Sequence, residues 1–222
     1  MNLITEYLEN SLEIKPKTIN TLVIEDSKYF TTFIKGLLET IYQENDTFEL
    51  IEDYKNLNIA KSTEIIFDLF NLEANTANRL KKLYEELESD INSEEMYSKK
   101  IDLERIMITI ADDLIYRSRF SLKTGEINYP NLFKAIAVEF DYDKTSIVER
   151  LTEYIKITSE LSGKKLFIIV NLDSFLSKDE LVELGTFLCY NEIKILALQN
   201  TITREVHVDE NVRIVDKDLC EI

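Results

Sequence analysis

The chain has 222 residues and a formal net charge of −16, with 45% hydrophobic and 31% charged residues. This length allows one well-packed core with a smaller appendage, and a content of four glycines and two prolines favours helices with short connections over a loop-rich all-β fold. The acidity argues against a surface that is basic throughout, although it permits a local basic stripe and carboxylate clusters that bind a hard cation.

The chain carries no sequence signal for a membrane or for secretion. No apolar run approaches the ~20 residues that span a bilayer, and the first seven residues lack the basic and apolar regions of a signal peptide. Cys189 and Cys220 are too few for a disulfide framework and lack metal-ligand spacing. We therefore expect a cytoplasmic protein with reduced thiols and no membrane contact.

The first third of the chain alternates strand and helix. Thr21–Glu25 is a short apolar strand, and either Asp26 or Ser27 can cap the segment that follows. Residues 28–42 carry apolar side chains at helical spacing and predict an amphipathic helix. Further strands are expected at Phe48–Asp53 and Glu64–Leu69.

The middle of the chain is helical. One apolar stripe runs from Leu80 to Ile91 and another from Leu103 to Ile115, with the polar stretch 90–95 between them. Two helices joined by a short polar turn predict an antiparallel hairpin. A third amphipathic helix runs from Ile147 to Leu161, and we expect the apolar stripes of all three helices to be core positions.

The last third returns to strand and helix. Leu166–Val170 is apolar throughout, as in a strand that is buried on both faces. Ser177 and Glu180 form a capping box that opens a helix to about Cys189, and Lys194–Gln199 is a second buried strand. This βαβ unit implies a parallel pair of strands. The fold class is therefore α/β, with a mainly parallel sheet in a head made of residues 1–72 and 141–222 and an inserted α-helical leg at 73–140.

The alternation of strands and helices in the head resembles that of a nucleotide-binding fold, but the sequence contains no nucleotide-binding motif. The Gly163-Lys164 pair is followed by Lys165 and precedes a strand, whereas a P-loop follows one. The turn after Thr21–Glu25 is acidic and has no glycine. The strand at 166–170 ends on Asn171, where an ATPase uses an aspartate to hold magnesium.

Other enzyme signals are weak. His207 is the only histidine, which argues against a histidine-based triad or a zinc site. Glu192-Ile-Lys194, with Asp173 upstream, matches a fragment found in some metal nucleases, but the tripeptide is common by chance. The stretch from Asp141 opens like an EF-hand loop and then lacks the glycine and the glutamate that complete one.

Three segments carry a resemblance to a known family. They are Thr21–Phe30 with the helix that follows, Phe167–Leu181 and the ending Ile214–Ile222. In content and order they resemble the Csn ring proteins of type II-A CRISPR systems, over essentially the whole chain.

The resemblance implies an ATPase-like α/β head without nucleotide motifs and a helical leg. It implies a homotetrameric ring that binds the ends of double-stranded DNA without sequence specificity, with calcium (Ca2+) supporting the assembly. It further implies a non-catalytic role in CRISPR spacer acquisition, alongside the adaptation integrase and the effector nuclease.

Two sets of site residues are expected on this basis. The calcium ligands are placed where the leg returns to the head, at Glu126, Glu139 and Asp141. DNA contacts must be basic, because the phosphate backbone is what such a ring reads. The candidates, chosen by charge and location, are Arg79, Lys81, Lys82, Lys99, Lys100, Arg117, Arg119, Lys123 and Lys134.

Two alternatives stay open at this level. One is a metal-dependent nuclease that uses Glu192 and Lys194. The other is an acidic protein-interaction module that binds no nucleic acid, which the net charge of −16 would suit.

Overall fold

The chain forms two compact units. The computed structural model describes residues 1–141, 146–202 and 210–222. One unit, the α/β unit, comprises Met1–Glu73 and Tyr142–Ile222, and the other, the helical unit, comprises Ala74–Asp141. The boundaries expected from the sequence lie one residue away from these.

Among the described residues, the α/β unit contains strands β1 (Asn2–Thr5), β2 (Leu12–Glu13), β3 (Ile19–Ile24), β4 (Phe48–Glu52), β5 (Lys55–Leu57), β6 (Thr63–Ile66), β7 (Leu166–Val170), β8 (Lys194–Gln199) and β9 (Asn211–Val215). Its helices are α1 (Ser27–Ile41), α2 (Ile59–Ser62), α6 (Ile147–Ser162) and α7 (Lys178–Tyr190). The helical unit contains α3 (Ala77–Ile91), α4 (Tyr97–Tyr116) and α5 (Tyr129–Ala135).

A parallel sheet forms the centre of the α/β unit. Its five strands follow the order β6-β7-β8-β3-β9. Every residue of β3 and β7 is buried, as their continuous apolar character predicts. β7 and β8 are neighbours in this sheet and α7 connects them, so the predicted βαβ unit is confirmed. The α/β class with a parallel sheet is confirmed with it.

The predicted helix ends depend on local hydrogen bonds. Asp26 caps α1, and its Oδ1 accepts a hydrogen bond from Tyr29 N at 2.7 Å. At the start of α7, Glu180 Oε2 accepts from Ser177 N at 2.8 Å while the Ser177 hydroxyl accepts from Glu180 N. The Ser177 hydroxyl also donates to Glu180 Oε2 at 2.7 Å, and this bond, followed by the one from Ser177 N, lowers the pKa of Glu180. α6 ends at Gly163, whose φ of 67° is left-handed.

A second sheet is antiparallel, which the sequence analysis did not predict. Its order is β2-β1-β4-β5, so the strand expected at Phe48–Asp53 belongs to this sheet and not to the parallel one. The turn between β4 and β5 consists of Asp53 and Tyr54, which have positive φ values of 48° and 61°. Such a turn usually carries Asn-Gly or Asp-Gly, and that signal is missing here.

Two apolar clusters cover the two faces of the parallel sheet. Alternate residues of the central strands point to opposite faces. On one face, Leu22, Leu166 and Leu196 pack with α1 and the antiparallel sheet. On the other face, Phe167 and Ile195 pack with residues of α6 and α7.

The first cluster includes one close approach between a helix and an aromatic ring. Gly36 on α1 lies against Tyr7, so that a Cβ at position 36 would come within 2.8 Å of Tyr7 Cε2. Tyr29 donates its hydroxyl proton to the carbonyl of Tyr7 at 2.7 Å. A side chain at position 36 would therefore have to displace the Tyr7 ring.

In the helical unit, α3 packs mainly on α5. Tyr84 donates to the carbonyl of Val138 at 2.9 Å, and its ring centroid lies 6.3 Å from that of Phe133. α4 differs, because none of its residues is buried. The expectation that the apolar stripe Leu103–Ile115 is core is therefore wrong within a single chain. The reason is that α4 carries apolar side chains on more sides than the neighbouring helices cover.

No helix among the described residues combines the length and the apolar character needed to cross a bilayer.

Candidate nucleic-acid interface

The nine basic candidates all lie in the helical unit, but their environments differ. Arg79 is buried, with 9% of its surface exposed, and it takes part in contacts within the chain. It is therefore poorly placed to reach a phosphate. Lys81 forms an i,i+4 ion pair with Glu85 at 3.7 Å, and Lys82 also has a partner within the chain.

Lys100 holds three parts of the helical unit together. Its Nζ donates to Asn92 Oδ1 at 2.7 Å, lies 3.8 Å from Glu104 Oε1 and sits 5.7 Å from the centre of the Tyr129 ring. Tyr129 in turn donates to Glu104 Oε1 at 2.7 Å. Burial and this carboxylate raise the pKa of the Tyr129 hydroxyl to about 12. The charge of Lys100 is used inside the unit, and this weakens it as a DNA contact.

Arg117, Arg119 and Lys123 form the candidate basic segment. All three side chains are exposed, and none of them forms an ion pair with any residue in the described part of the chain. The run 114–125 contains these three cations and no acidic residue, in a chain with 42 acidic and 26 basic residues. A local positive potential can persist here despite the net charge.

Exposed aromatic rings interrupt this basic segment. Tyr116 is 91% exposed at the end of α4, and Phe120 is 65% exposed. The guanidinium of Arg119 lies over the Phe120 ring, 5.2 Å from its centre. This cation–π contact holds a cation against an aromatic face at the protein surface.

The remaining basic candidates are scattered. Lys99 is exposed near the start of α4, and Lys134 is exposed in the last turn of α5. Lys134 also borders a cavity of about 500 Å³ whose apolar lining comes from Leu80, Tyr84 and Pro130. Neither lysine belongs to a cluster comparable to that at 117–123.

The three expected calcium ligands do not form a metal-ligating cluster in this structure. Glu126, Glu139 and Asp141 are each exposed, and the described residues contain no group of three or more His, Cys, Asp or Glu side chains that could hold a metal ion. Among the described residues, these three carboxylates therefore do not by themselves make a calcium site. Asp143 and His207 lie outside the described residues.

The edge of the sheet where a nucleotide-binding fold holds phosphates is occupied by polar side chains of this protein. Asp26 places a carboxylate at the N-terminus of α1, the position where such folds bind an anion. Asn200 donates to the carbonyl of Ile24 at 2.8 Å, and Ser27 donates to Asn200 Oδ1 at 3.2 Å. These contacts leave a negative group where a triphosphate would need amide donors.

At the amino ends of the parallel strands, Glu52 connects the antiparallel sheet to the parallel one. Its carboxylate accepts from Lys165 Nζ at 2.9 Å and from Lys194 Nζ at 2.8 Å. These two hydrogen bonds, Lys194 first, lower the pKa of Glu52 to about 2, and the same contact raises the pKa of Lys165. Glu52 belongs to β4, whereas the lysines precede β7 and begin β8.

The three residues that a metal-dependent nuclease would use, Glu192, Lys194 and Asp173, lie at opposite ends of β8. Glu192 and Lys194 lie at the amino end of β8 beside Glu52. Asp173 lies at the carboxyl end, where its backbone N–H is 3.0 Å from the side-chain amide of Gln199. Six strand residues separate the two ends, roughly 20 Å at the rise of a β-strand. The three side chains therefore cannot bind one metal ion together.

Comparison with known proteins gives the family. The family model described as CRISPR-associated protein (Cas_Csn2) matches residues 41–219, which is most of the chain. The chain belongs to the CRISPR-associated Csn2 family. A CRISPR-associated role in antiviral defence follows from this membership.

Two curated relatives span nearly the whole chain. A CRISPR-associated protein Csn2 from Enterococcus faecalis is 27% identical over 213 residues, which cover 92% of this chain and 93% of the relative. One from Streptococcus agalactiae is 25% identical over 214 residues, which cover 95% and 92%. The type II-A Csn resemblance seen in the sequence is thereby confirmed.

Within this Csn2 chain, sequence reasoning missed two features of interest. One is the set of aromatic rings beside the basic segment, although Tyr116 and Phe120 stand next to Arg117 and Arg119 in the printed sequence. The other is Glu52, whose partners lie more than 100 residues further along the chain. The first could have been found by scanning basic clusters for aromatic neighbours, whereas nothing local in the sequence identifies the second.

Proposed function

We propose that this protein is a non-catalytic ring subunit that binds the ends of double-stranded DNA during CRISPR spacer acquisition. The observation that carries the proposal is the basic segment Arg117, Arg119 and Lys123, whose charges have no ion-pair partner among the described residues. Uncompensated cations are what attracts a DNA backbone, and they give affinity without sequence preference.

We infer that the protein is non-catalytic from the side chains at the two ends of the parallel strands, where a catalytic site would have to lie. At one edge, Asp26 occupies the N-terminus of α1, and Asn171 stands at the end of β7 in a left-handed conformation with φ 57°. At the other edge, Lys194 and Glu52 are paired with one another. The α/β unit then serves as a frame for assembly and not as a site of hydrolysis.

The exposed apolar side of α4 supports the proposal of a homotetramer. Its exposed apolar residues include Ile106, Ile110 and Leu114, which recur every four residues and so lie along one side of the helix. Contiguous exposed apolar surface of this kind marks an interaction site. A second copy of the chain is the partner we propose, with closed symmetry giving four subunits.

Calcium is proposed as a support of the assembly, on the chemistry of Glu126, Glu139 and Asp141 and on the family resemblance. Calcium takes six to eight oxygen ligands, which include backbone carbonyls and water. The described carboxylates of one chain do not supply such a set, so no step of DNA binding is assigned to the ion. If a chelator changes neither the solution mass nor the DNA affinity, the calcium proposal fails.

The partners proposed within the CRISPR system are the adaptation integrase and the effector nuclease. A protein that holds free DNA ends would present them to the enzyme that joins new DNA to the array. This part of the proposal rests on the family alone.

The DNA proposal is tested by comparing linear and closed circular duplex of the same sequence. Threading onto ends predicts that linear DNA binds and that closed circles compete poorly. The variant with Arg117→Ala and Arg119→Ala should bind all duplexes about tenfold more weakly, and the slope of log affinity against log salt should fall by about 2.

A matched control removes the same charge elsewhere. Lys55 and Lys61 are exposed in the α/β unit, so a variant with Lys55→Ala and Lys61→Ala should bind DNA nearly as the natural protein does. Equal losses in the two double variants would mean that only net charge matters. If the natural protein does not bind duplex at low salt, the acidic protein-interaction module becomes the better reading.

A further inference from the structure

The basic segment combines two kinds of group that a blunt duplex would not require together. Arg117, Arg119 and Lys123 are enough to contact phosphates. Tyr116 and Phe120 add rings that are 91% and 65% exposed. An exposed ring is not explained by phosphate binding, because a phosphate offers it no flat surface.

The arrangement of Arg119 on Phe120 indicates what the rings bind. The guanidinium lies over the ring, 5.2 Å from its centre, so a cation and an aromatic face are already in contact before any ligand arrives. A nucleobase is a flat partner that can stack on such a ring, and every base has a suitable face. Cations that follow the backbone combined with rings that stack on bases are the usual features of single-strand binding.

We propose that the segment from Tyr116 to Lys123 binds unpaired nucleotides at a DNA end, whether an overhang or a frayed terminus. Bases inside a duplex are stacked on each other and cannot reach Phe120, whereas an unpaired base can. Arg117 and Lys123 hold the phosphates that flank the unpaired base. This inference deepens the proposed function and rests on it, because it names which kind of DNA end the segment prefers.

The first test compares affinities for one duplex core carrying either blunt ends or four-nucleotide overhangs. Stacking of a base contributes about 1–3 kcal/mol, or roughly 5- to 150-fold in affinity. We expect the overhang duplex to bind about tenfold more tightly. In a variant with Tyr116→Leu and Phe120→Leu, the two affinities should become equal.

A matched control uses an exposed ring outside the segment. Tyr190 is 86% exposed at the end of α7, so Tyr190→Leu should leave the preference for overhangs in place. A preference that persists in the variant with Tyr116→Leu and Phe120→Leu would overturn the proposal. So would a natural protein that binds the blunt and overhang duplexes equally.

The second test is optical and uses the lack of tryptophan in the chain. Phe120→Trp places a single indole in the segment, and Tyr190→Trp places one at the control position. Overhang DNA should quench the first and leave the second unchanged, while blunt DNA should quench the first much less. Bound overhang DNA without quenching at position 120 would overturn the inference.

The two proposals can fail separately. If duplex DNA does not bind, the proposed function fails, and a single-stranded oligonucleotide then tests the segment directly through the Phe120→Trp emission. Quenching would support nucleotide stacking on its own, and no quenching would remove both proposals. If Tyr116→Leu and Phe120→Leu instead change the solution mass, the segment is a contact between subunits and the inference is wrong.

Discussion

At the scale of single residues, Glu52 and Gly36 show how the α/β unit is held together. Glu52 on β4 accepts hydrogen bonds from Lys165 and Lys194, so one carboxylate joins the antiparallel sheet to the parallel one. Only 17% of the Glu52 side chain is exposed, which strengthens the pair relative to a surface ion pair. Gly36 has the opposite role, since it leaves space that Tyr7 fills.

The ion pairs of Glu52 make part of the stability depend on pH. Its pKa is about 2 in the folded state, against an ordinary value of 4.5. The contribution is therefore complete above about pH 4.5 and is lost as the pH falls from there towards 2. We expect Glu52→Gln to lower the free energy of unfolding by roughly 1–2 kcal/mol at pH 7, after allowance for solvent screening at the half-exposed Lys165.

Denaturant unfolding at pH 7 and pH 3 measures this effect as the difference between the natural protein and the variant. That difference should shrink at pH 3. Glu49→Gln is the control, because Glu49 is exposed on the same strand, and it should cost little at either pH. A difference of the same size at both pH values would contradict the assignment.

Replacing a helical glycine with alanine usually stabilises a protein, and we predict the reverse at Gly36. Alanine is the better helix former by roughly 0.5–1 kcal/mol, but here a Cβ would lie 2.8 Å from Tyr7. We expect Gly36→Ala to destabilise the protein by about 1–3 kcal/mol through overpacking. Gly185→Ala on α7 has open space around the added Cβ and should stabilise it. Thermal unfolding measures both variants. A change in melting temperature of the same sign in both would contradict the prediction.

At the scale of elements, α4 is the least covered helix of the described chain. It has 20 residues and none of them is buried. Contacts of Lys100 and Glu104 hold one side of it to the rest of the helical unit, and the side with Ile106 and Ile110 is open. A helix of this length with an open apolar side is expected to find a partner.

Polar substitution on α4 tests that expectation. If the natural protein is the proposed tetramer, the variant with Ile106→Gln, Ile110→Gln and Leu114→Gln should elute as a smaller species, while circular dichroism shows that the helices persist. Val182→Gln, at a position 56% exposed on α7, is the control and should keep the natural mass. A triple variant that remains a tetramer by light scattering would place the contact elsewhere.

Elements with local signals were predictable from the sequence, and elements defined by distant pairing were not. Gly163 and the Ser177–Glu180 capping box locate helix ends because the bonds that form them are local. β9 was not predicted, although Asn211–Val215 begins with the polar and apolar alternation of a strand. Its partner β3 lies near the other end of the chain, so no local signal indicates the pairing. The basic segment at 117–123 was predictable from charge, whereas the burial of Arg79 depends on packing that periodicity does not reveal.

At the scale of the whole molecule, the α/β unit has a parallel sheet, the kind of sheet on which nucleotide-binding folds are built. We predict that the protein neither binds nor hydrolyses ATP detectably, because Asp26 caps α1 where phosphates would bind and no P-loop is present in the sequence. Titration calorimetry with ATP and magnesium should show no heat of binding. A micromolar affinity would contradict the prediction and reopen a catalytic role.

The strand order of the parallel sheet has a consequence for how the protein is made. β3 (19–24) pairs with β8 (194–199) and β9 (211–215), and β6 (63–66) pairs with β7 (166–170). At about 5–20 residues per second, a ribosome needs roughly 10–35 s to travel from β3 to β8. During that interval the buried strand β3 has no strand partner, whereas the antiparallel sheet and the helical unit are completed within it. The nascent chain is therefore most exposed to aggregation and to chaperones before its last 30 residues emerge.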